Sequence, residues 1–266
     1  MSEVIVITSG KGGVGKTTST SNIGAWLSIL NKKVVVIDTD IGLRNLDVVM
    51  GLENRVVFHL VDVIEGNCAI SQALIRDRHF PNLYLMPTAQ TRDKTAVEPE
   101  QMKKLIELLK EDFDYILLDS PAGIEQGFQN AIAGANRAIV ITTPDVAAIR
   151  DADRVAGLLE DAGLRDIKLL INRIRMDMVR RGVMMSMEDI ADVLGMDVIG
   201  VVPDDEQVII CTNQGIPVRA KNSLAGCAYK NIALRITGED VPLVDFNEKK
   251  NRIHKILNFR ISKGLT

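Results

Sequence analysis

The chain has 266 residues, of which 46% are hydrophobic and 25% charged, and its 32 basic and 35 acidic residues give a formal net charge of −3. This composition is typical of one globular α/β domain and gives no electrostatic reason to expect nucleic-acid binding by the whole chain. No apolar run reaches the roughly 18 residues that a membrane-spanning helix needs, and no cleavable signal is recognisable, so we expect a cytoplasmic protein. The three cysteines are widely spaced, which argues against a disulfide framework or a clustered zinc site.

Short, β-branched apolar runs recur along the chain and predict seven strands, at residues 4–8, 34–37, 83–86, 115–118, 138–142, 168–171 and 198–201. Helical patterns lie between them, at residues 19–30, 99–110, 151–162 and 186–194. Ser186 and Asp189 also predict a capping box at the start of the last helix. Because runs this short and apolar suit strands that are covered on both faces, the alternation predicts a doubly wound α/β fold, with a mostly parallel sheet flanked by helices. Ligands of such sheets bind beyond the carboxyl ends of the strands.

Residues 10–18 read GKGGVGKTT and follow the first predicted strand directly. The fixed positions of the phosphate-loop template G-x-x-x-x-G-K-[ST] are filled by Gly10, Gly15, Lys16 and Thr17. Glycines let such a loop turn sharply and aim its N–H groups at an anion beside a helix N-terminus. We expect Lys16 to reach the β- and γ-phosphates, Thr17 to ligate Mg²⁺ and Thr18 to contact the α-phosphate. The predicted nucleotide-binding residues of the loop are Gly10, Lys11, Gly12, Gly13, Val14, Gly15, Lys16, Thr17 and Thr18.

Three aspartates follow predicted strands and are candidates for metal binding and catalysis. Asp119 ends the apolar run 115–118, as in a Walker B element, and we expect it to bind Mg²⁺ through water. Asp38 and Asp40 lie two residues apart after the second strand, so in an extended segment they point the same way. We expect Asp40 to orient the attacking water and Asp38 to lie near the metal. The alternatives are a helix cap for Asp119 and a solvated acidic turn for the other two.

Lys11 is a second lysine in a loop whose template needs only one. The stretch KGGVGKTT resembles the deviant Walker A signature of the MinD/ParA family of P-loop ATPases, and the resemblance covers nearly the whole chain. Its other parts are DTDIGLRNLDVVMG at residues 38–51, TRDK at 91–94, DSPAGIE at 119–125 and SMED at 186–189. The resemblance implies the P-loop NTPase fold and a homodimer that forms with Mg·ATP. It also implies that Lys11 crosses the dimer interface to the partner's phosphates, so hydrolysis requires dimerisation.

The resemblance is strongest to family members that place the division septum. It implies an ATPase that binds the inner face of the cell membrane peripherally, recruits a MinC-like division inhibitor and is released by ATP hydrolysis. A MinE-like or other topological regulator is a further implied partner. The alternative is a ParA-type DNA-segregation or cargo-positioning ATPase, for which we would expect a basic surface and an added N-terminal helical region. Nitrogenase iron proteins need cluster-holding cysteines near Asp119, which this chain lacks.

The base pocket and the partner surface are also expected from the resemblance. Asn172 and the turn at Pro203 lie where relatives hold adenine, and no N-K-x-D motif for guanine follows a strand, so ATP is favoured over GTP. Either residue could instead be a simple turn former. Asp151 and Asp153 lie in a segment that faces partners in relatives, and we expect them to pair with a basic regulator helix. The alternative is that these carboxylates only stabilise a helix start.

The last residues, 246–266, are expected to form a membrane-targeting tail that is separate from an ATPase domain at 1–245. On a helix of 100° per residue, the main apolar residues fall on one face about 140° wide, with basic residues around them. The predicted membrane-contacting residues are Ile253, Ile256, Leu257, Phe259 and Ile261. Arg260 projects into the middle of that face, so a core-packing C-terminal helix is the alternative.

Overall fold

The computed structural model describes residues 2–93, 95–218, 223–244 and 246. The strands are β1 (Glu3–Thr8), β2 (Val34–Asp38), β3 (Ile75–Arg76), β4 (Leu83–Met86), β5 (Tyr115–Asp119), β6 (Arg137–Thr142), β7 (Asp166–Ile174) and β8 (Val198–Pro203). The helices are α1 (Lys16–Ile29), α2 (Leu46–Val49), α3 (Leu60–Ile64), α4 (Ile70–Ala73), α5 (Pro99–Leu109), α6 (Gln126–Ile132), α7 (Val146–Asp161), α8 (Met176–Arg180), α9 (Met187–Leu194), α10 (Glu206–Asn213) and α11 (Leu224–Ile236). A short 3₁₀ helix lies at Glu53–Arg55.

One sheet contains these eight strands in the order β3-β4-β2-β5-β1-β6-β7-β8. All its neighbours pair in parallel except β3 and β4, which are antiparallel. All seven strands that the sequence predicts are present, and the mostly parallel, doubly wound architecture is confirmed. β3 was not predicted because two residues are too short to form a hydrophobic pattern.

The hydrophobic core is divided between the two faces of the sheet. Successive side chains of a strand point to opposite faces, and the residues of β1 show this directly. Val4 and Val6 belong to one buried cluster, together with residues of α5, α6 and α7. Ile5 and Ile7 belong to the other, together with residues of α1 and α11. Coverage of both faces explains why the central strands are continuous apolar runs.

Two helix starts illustrate how capping sets the local structure. Ser186 Oγ accepts a hydrogen bond from the Asp189 amide, and Asp189 accepts one from the Ser186 amide, so the predicted capping box is confirmed. The predicted start of a helix at residue 151 is wrong, because α7 already begins at Val146, with Asp145 as its N-cap. The Asp145 carboxylate accepts from the Ala148 amide at 3.0 Å.

The chain order brings three loops to one edge of the sheet. β5 lies between β2 and β1, so the carboxyl ends of these three strands are neighbours. The loop before α1, the segment after β2 and the turn after β5 therefore converge, as expected for a doubly wound sheet.

At the other end of the described chain, Phe246 packs against the core, so the folded part reaches the first residue of the predicted tail. Within the described residues, no helix combines the length and apolar character needed to cross a membrane.

Candidate functional site

The loop between β1 and α1 has the backbone shape of an anion-binding nest. Gly13 and Gly15 adopt left-handed conformations, with φ of 78° and 103°, which glycine reaches without steric cost. A Cβ on Gly15 would also overlap the side chain of Asn172, so only glycine fits there. α1 begins at Lys16, immediately after the loop, and its free N–H groups and positive dipole end face the same space. The loop can therefore hold a phosphate group, as its sequence predicts.

Lys16 is buried beside two carboxylates. It is 8% exposed, and its Nζ donates a hydrogen bond to Ser9 Oγ at 2.9 Å. Ser9 Oγ in turn donates to the Lys11 carbonyl at 2.8 Å. Burial lowers the pKa of Lys16, while the negative charges of Asp119 and Asp40 act in the opposite direction. A cation held in this position can neutralise phosphate charge that enters the loop.

Asp119 lies at the carboxyl end of β5 and is buried. Its Oδ1 accepts a hydrogen bond from Thr20 Oγ1 at 3.1 Å, and the Thr17 hydroxyl is a second hydrogen-bond partner. Burial raises the pKa of Asp119 to about 6, although the hydrogen bond with Thr17 and the charge of Lys16 lower it. Thr17 and Asp119, expected from the sequence to act together, are thus in direct contact.

Asp38 is the register partner of Asp119 in the adjacent strand, β2. It is 1% exposed, and both of its carboxylate oxygens accept backbone hydrogen bonds, from the amides of Asp40, Asn45 and Leu46 at 3.0–3.2 Å. Burial raises its pKa to about 7, and the charge of Asp119 adds to this effect. Asp38 therefore fixes the loop that follows β2.

Asp40 is half-buried in that loop. The expectation that Asp38 and Asp40 share an extended segment is wrong, because β2 ends at Asp38 and the chain turns, with the Ile41 amide donating to the Thr39 carbonyl. Asp40 nevertheless lies near enough to Lys16 and Asp119 for its charge to affect both of their pKa values. The turn thus leaves Asp40 close to the space above the phosphate loop.

The oxygen atoms of Thr17 and Asp119 suit Mg²⁺, a hard cation that prefers oxygen ligands. Asp38 and Asp119 are buried side by side, and their pKa values lie above the usual range for aspartate. A bound cation stabilises the charged form of such carboxylates. Among the described residues, no cluster of three or more His, Cys, Asp or Glu side chains could hold a metal. Mg²⁺ at this site would therefore take its other ligands from phosphate and water, including the water through which Asp119 is expected to bind it.

Lys11 lies in the same loop as Lys16 but is exposed, whereas Lys16 is buried. The Lys11 side chain is 45% exposed, and its Nζ lies 3.1 Å from Asp145 Oδ1. Asp145 also accepts a hydrogen bond from Thr143 Oγ1 at 2.6 Å. Lys11 therefore extends to the start of α7, on the open side of the loop, where a second molecule could reach it.

A cavity of about 290 Å³ beside the phosphate loop brings together the residues expected to hold the base. It is lined by Gly15, Thr18, Asn172, Arg173, Pro203, Asp204, Asp205, Val208 and Ile209. Asn172 Nδ2 donates to the Val14 carbonyl at 2.8 Å, so Asn172 supports the loop as well as lining the cavity. Arg173 has a φ of 57°, an uncommon conformation for this residue type, which is typical of functional sites.

The remaining predicted residues lie elsewhere. Asp151 and Asp153 belong to the body of α7, which begins at Val146, and not to its start. The backbone of Asp151 packs against Gly10, and Asp153 is exposed. The predicted membrane residues Ile253, Ile256, Leu257, Phe259 and Ile261 lie outside the described residues.

Ser9, Thr20 and Asp145 belong to the site but were not predicted from the sequence. Ser9 and Thr20 flank the loop motif but belong to no template. Asp145 had a usable signal, since an aspartate just after a proline and before a helical stretch is a typical N-cap.

Comparisons with known proteins agree with this geometry. Residues 5–218 match the family model described as the CobQ/CobB/MinD/ParA nucleotide binding domain. The septum site-determining protein MinD of Bacillus subtilis is 53% identical over 263 residues, which are 97% of this chain and 98% of that protein. MinD in the MinC:MinD cell division protein complex of Aquifex aeolicus superposes with a TM-score of 0.85 at 47% identity, over 91% of this chain and 98% of that one.

The septum site-determining protein MinD of Pyrococcus horikoshii, solved with Mg-ADP, has a TM-score of 0.80 at 30% identity and covers 89% of this chain and 96% of its own. The family match over most of the chain and the identity to relatives of nearly equal length agree with the phosphate loop, the aspartate after β5 and the parallel sheet. The chain therefore belongs to the MinD/ParA family of nucleotide-binding P-loop proteins.

Proposed function

We propose that the chain is an ATPase that dimerises on Mg·ATP, binds the inner face of the cell membrane through residues 246–266 and recruits a MinC-like inhibitor to place the division septum. Hydrolysis of ATP then returns it to the cytoplasm. The observation that supports this most directly is the contrast between the two lysines of the loop. Lys16 is buried next to Asp119, whereas Lys11 is exposed and reaches outwards.

The hydrolytic site follows from this contrast. In one subunit, Lys16 and the amides of the loop bind and orient the triphosphate, and Asp40 orients the attacking water. Thr17 and Asp119 would hold Mg²⁺, whose charge offsets that of the phosphates. Within one copy, the Lys11 side chain extends away to Asp145 on the open side of the loop. We infer that Lys11 of a second copy supplies a cation to the phosphates, much as an arginine finger does in other P-loop enzymes.

ATP is the proposed nucleotide because the cavity beside the loop contains Asn172 and Pro203, the expected base-contacting residues. Counting bonds among the described residues, Asn172 keeps one amide hydrogen and one oxygen lone pair beyond its bonds to the Val14 carbonyl and the Arg173 amide. These free groups could pair with a base edge.

Dimerisation also explains how nucleotide could control membrane binding. A single amphipathic tail binds marginally, because each buried apolar side chain offers at most about 1.5–3 kcal/mol and each basic residue about 1 kcal/mol, against roughly 1–2 kcal/mol of backbone entropy per residue ordered. Two tails on one dimer gain on the order of 10²–10⁴ in avidity. Membrane residence then follows the nucleotide state.

The partner surface of this proposal lies on α7. The Aquifex MinC:MinD complex supports a MinC-like inhibitor as a partner. Asp153 is exposed and can pair with a basic partner, whereas Asp151 is half-buried and has less freedom to do so. A MinE-like or other topological regulator is the second proposed partner at this helix.

The decisive experiment is co-sedimentation with vesicles that contain anionic phospholipid, in Mg·ATP and in Mg·ADP. We expect pelleting with ATP only, and its loss when residues 251–266 are removed. The truncated chain serves as its own control, because it should still hydrolyse ATP and dimerise. Binding to non-specific DNA is measured in parallel. Retention on DNA without lipid binding would contradict the proposal and favour a DNA-segregation ATPase.

A further inference from the structure

Asp205 joins two helices beside the cavity next to the phosphate loop. It lies two residues after the end of β8 and is the N-cap of α10, where its Oδ1 accepts from the Gln207 amide at 3.0 Å. Its Oδ2 accepts a hydrogen bond from Ser223 Oγ at 2.7 Å, and the Ala225 amide lies 3.4 Å away. Ser223 is 6% exposed and itself caps α11, accepting from the Gly226 amide at 3.1 Å. One carboxylate thus holds the N-termini of both helices.

The cavity wall that begins at Asp205 has little packing of its own. None of the residues of α10 is buried, and Ile209, which lines the cavity, is 63% exposed. Val208 is half-buried and packs against the core that contains residues of α1 and α11, and the two ends of α10 supply further attachments. Near its C-terminal end, Gly215 lies so close to Gly51 that a Cβ on Gly215 would be 2.5 Å from the Gly51 Cα. At its N-terminal end the attachment is Asp205.

α11, by contrast, is firmly placed relative to the phosphate loop. Its inner face is buried against β8 and α1, and its Tyr229 is fully buried. The Tyr229 hydroxyl lies 3.2 Å from Ser19 Oγ, one residue after Thr18, which lines the same cavity. A continuous set of contacts therefore runs from Asp205 through Ser223 and α11 to the helix that follows the loop.

We propose that Asp205 is a positioning residue for the base-binding side of the nucleotide site. By holding α10 to α11, its carboxylate fixes the cavity wall at a set distance from the phosphate loop. It should therefore contribute to the binding of base and ribose and not to the binding of the phosphates, which contact the loop on the other side of the cavity. This inference rests on the proposed binding of ATP.

The test compares two ligands that share the phosphates but not the base. Dissociation constants of Mg·ATP and Mg·tripolyphosphate are measured by calorimetry for the wild-type chain and for D205A, D205N and S223A. We expect D205A and S223A to weaken ATP binding about three- to tenfold, the equivalent of one lost helix cap, and to leave tripolyphosphate binding unchanged. D205N should retain most of the ATP affinity, because asparagine can accept from the Gln207 amide and donate to Ser223.

The capping box of α9 provides a matched control, since Ser186 and Asp189 form the same serine–aspartate contact away from this cavity, with Oγ and Oδ2 2.8 Å apart. S186A and D189A should lower the melting temperature as S223A and D205A do, but leave both dissociation constants unchanged. Should D205A fail to fold, S223A gives the comparison by itself, with D205N as the variant expected to retain most of the ATP affinity.

Two results would overturn the inference: a parallel loss of ATP and tripolyphosphate affinity, or an unchanged ATP affinity in folded D205A and S223A. The measurement needs neither a dimer nor a membrane nor hydrolysis. A wild-type chain that stayed monomeric in Mg·ATP would therefore contradict the proposed function and leave this comparison intact.

Discussion

Lys11 and Asp145 form an ion pair within a single copy of the chain, with Nζ 3.1 Å from Oδ1. Both side chains are about half exposed, so water and salt screen the pair and its contribution is small. The same carboxylate caps α7 through the Ala148 amide, which fixes its position. The lysine proposed to act on a partner's phosphates is thus weakly retained in its own subunit, and the proposed dimerisation would separate this pair.

Replacing Asp145 with asparagine should favour the dimer. Asparagine is a good N-cap, so α7 stays capped while the charge that holds Lys11 is removed. We expect the dissociation constant of the dimer in Mg·ATP, measured by sedimentation, to fall by a factor of about two to five. T143A is the control, because it removes the other side-chain partner of Asp145 and leaves the ion pair. Unchanged or weaker dimerisation of D145N would show that the pair does not restrain Lys11.

Two inactive variants should restore activity when mixed. K11A lacks the cation proposed to act on the partner's phosphates, and D40A lacks the carboxylate proposed to orient water in its own subunit. Each alone should lose at least about 100-fold in ATP turnover, the scale of removing one electrostatic contact to the transition state. In a mixed dimer, the site of the K11A subunit has Asp40 and receives Lys11 from the D40A subunit. In an equal mixture with random pairing, half of the dimers are mixed and one of the two sites in each is complete. The expected rate is therefore about a quarter of the wild-type rate.

The control for this mixing experiment is K104A, a substitution of an exposed lysine on α5. K104A should be fully active alone. A mixture of K104A with K11A should show no more activity than the K104A that it contains. If the mixture of K11A and D40A showed no more activity than the sum of the two, Lys11 would not act across subunits.

The nucleotide-free chain should become less stable as pH rises from about 5 to 8. The folded-state pKa values of Asp38 and Asp119, about 7 and about 6, lie above the unfolded value of about 3.9. The folded chain therefore binds more protons in this range, and its free energy of unfolding falls as the carboxylates ionise. D119N removes one of these groups and the charge that raises the pKa of Asp38.

Denaturant unfolding at several pH values tests this expectation. D119N should show a smaller decline in the free energy of unfolding than the wild-type chain, and D192N, at an exposed position on α9, should decline as the wild type does. Equal slopes for the wild type and D119N would contradict the assigned burial of these charges.

The same substitution should have opposite effects at two glycines. A Cβ on Gly200 in β8 would lie 2.5 Å from Ile232 Cδ1 in α11, so G200A should destabilise the fold by about 1–3 kcal/mol through overpacking. A Cβ on Gly157 in α7 would meet no atom within 4 Å, so G157A should stabilise it by about 0.5–1 kcal/mol. Chemical denaturation measures the free energy of unfolding of both variants. If G157A destabilised the fold as much as G200A does, packing against α11 would not be the cause of the G200A effect.

The sequence alone was sufficient for the features that depend on neighbours along the chain. The loop between β1 and α1 is recognisable because a nest for phosphate needs glycines and a lysine at fixed spacing. The seven longer strands are recognisable because burial on both faces requires continuous apolar runs, and the position of Asp119 follows from the end of one of them. The capping box at Ser186 is equally local, since its two members are three residues apart.

Only the tertiary structure determined which of these local features meet. The contact between Lys11 and Asp145 joins residues 134 apart in sequence, and that between Asp119 and Thr20 joins residues 99 apart. The attachment of Asp205 to Ser223 joins residues 18 apart. Such contacts depend on which strands are neighbours and where each helix begins, and these are set by the free energy of the whole packed sheet and its two cores. The spacing of residues in a sequence motif carries no information on that free energy.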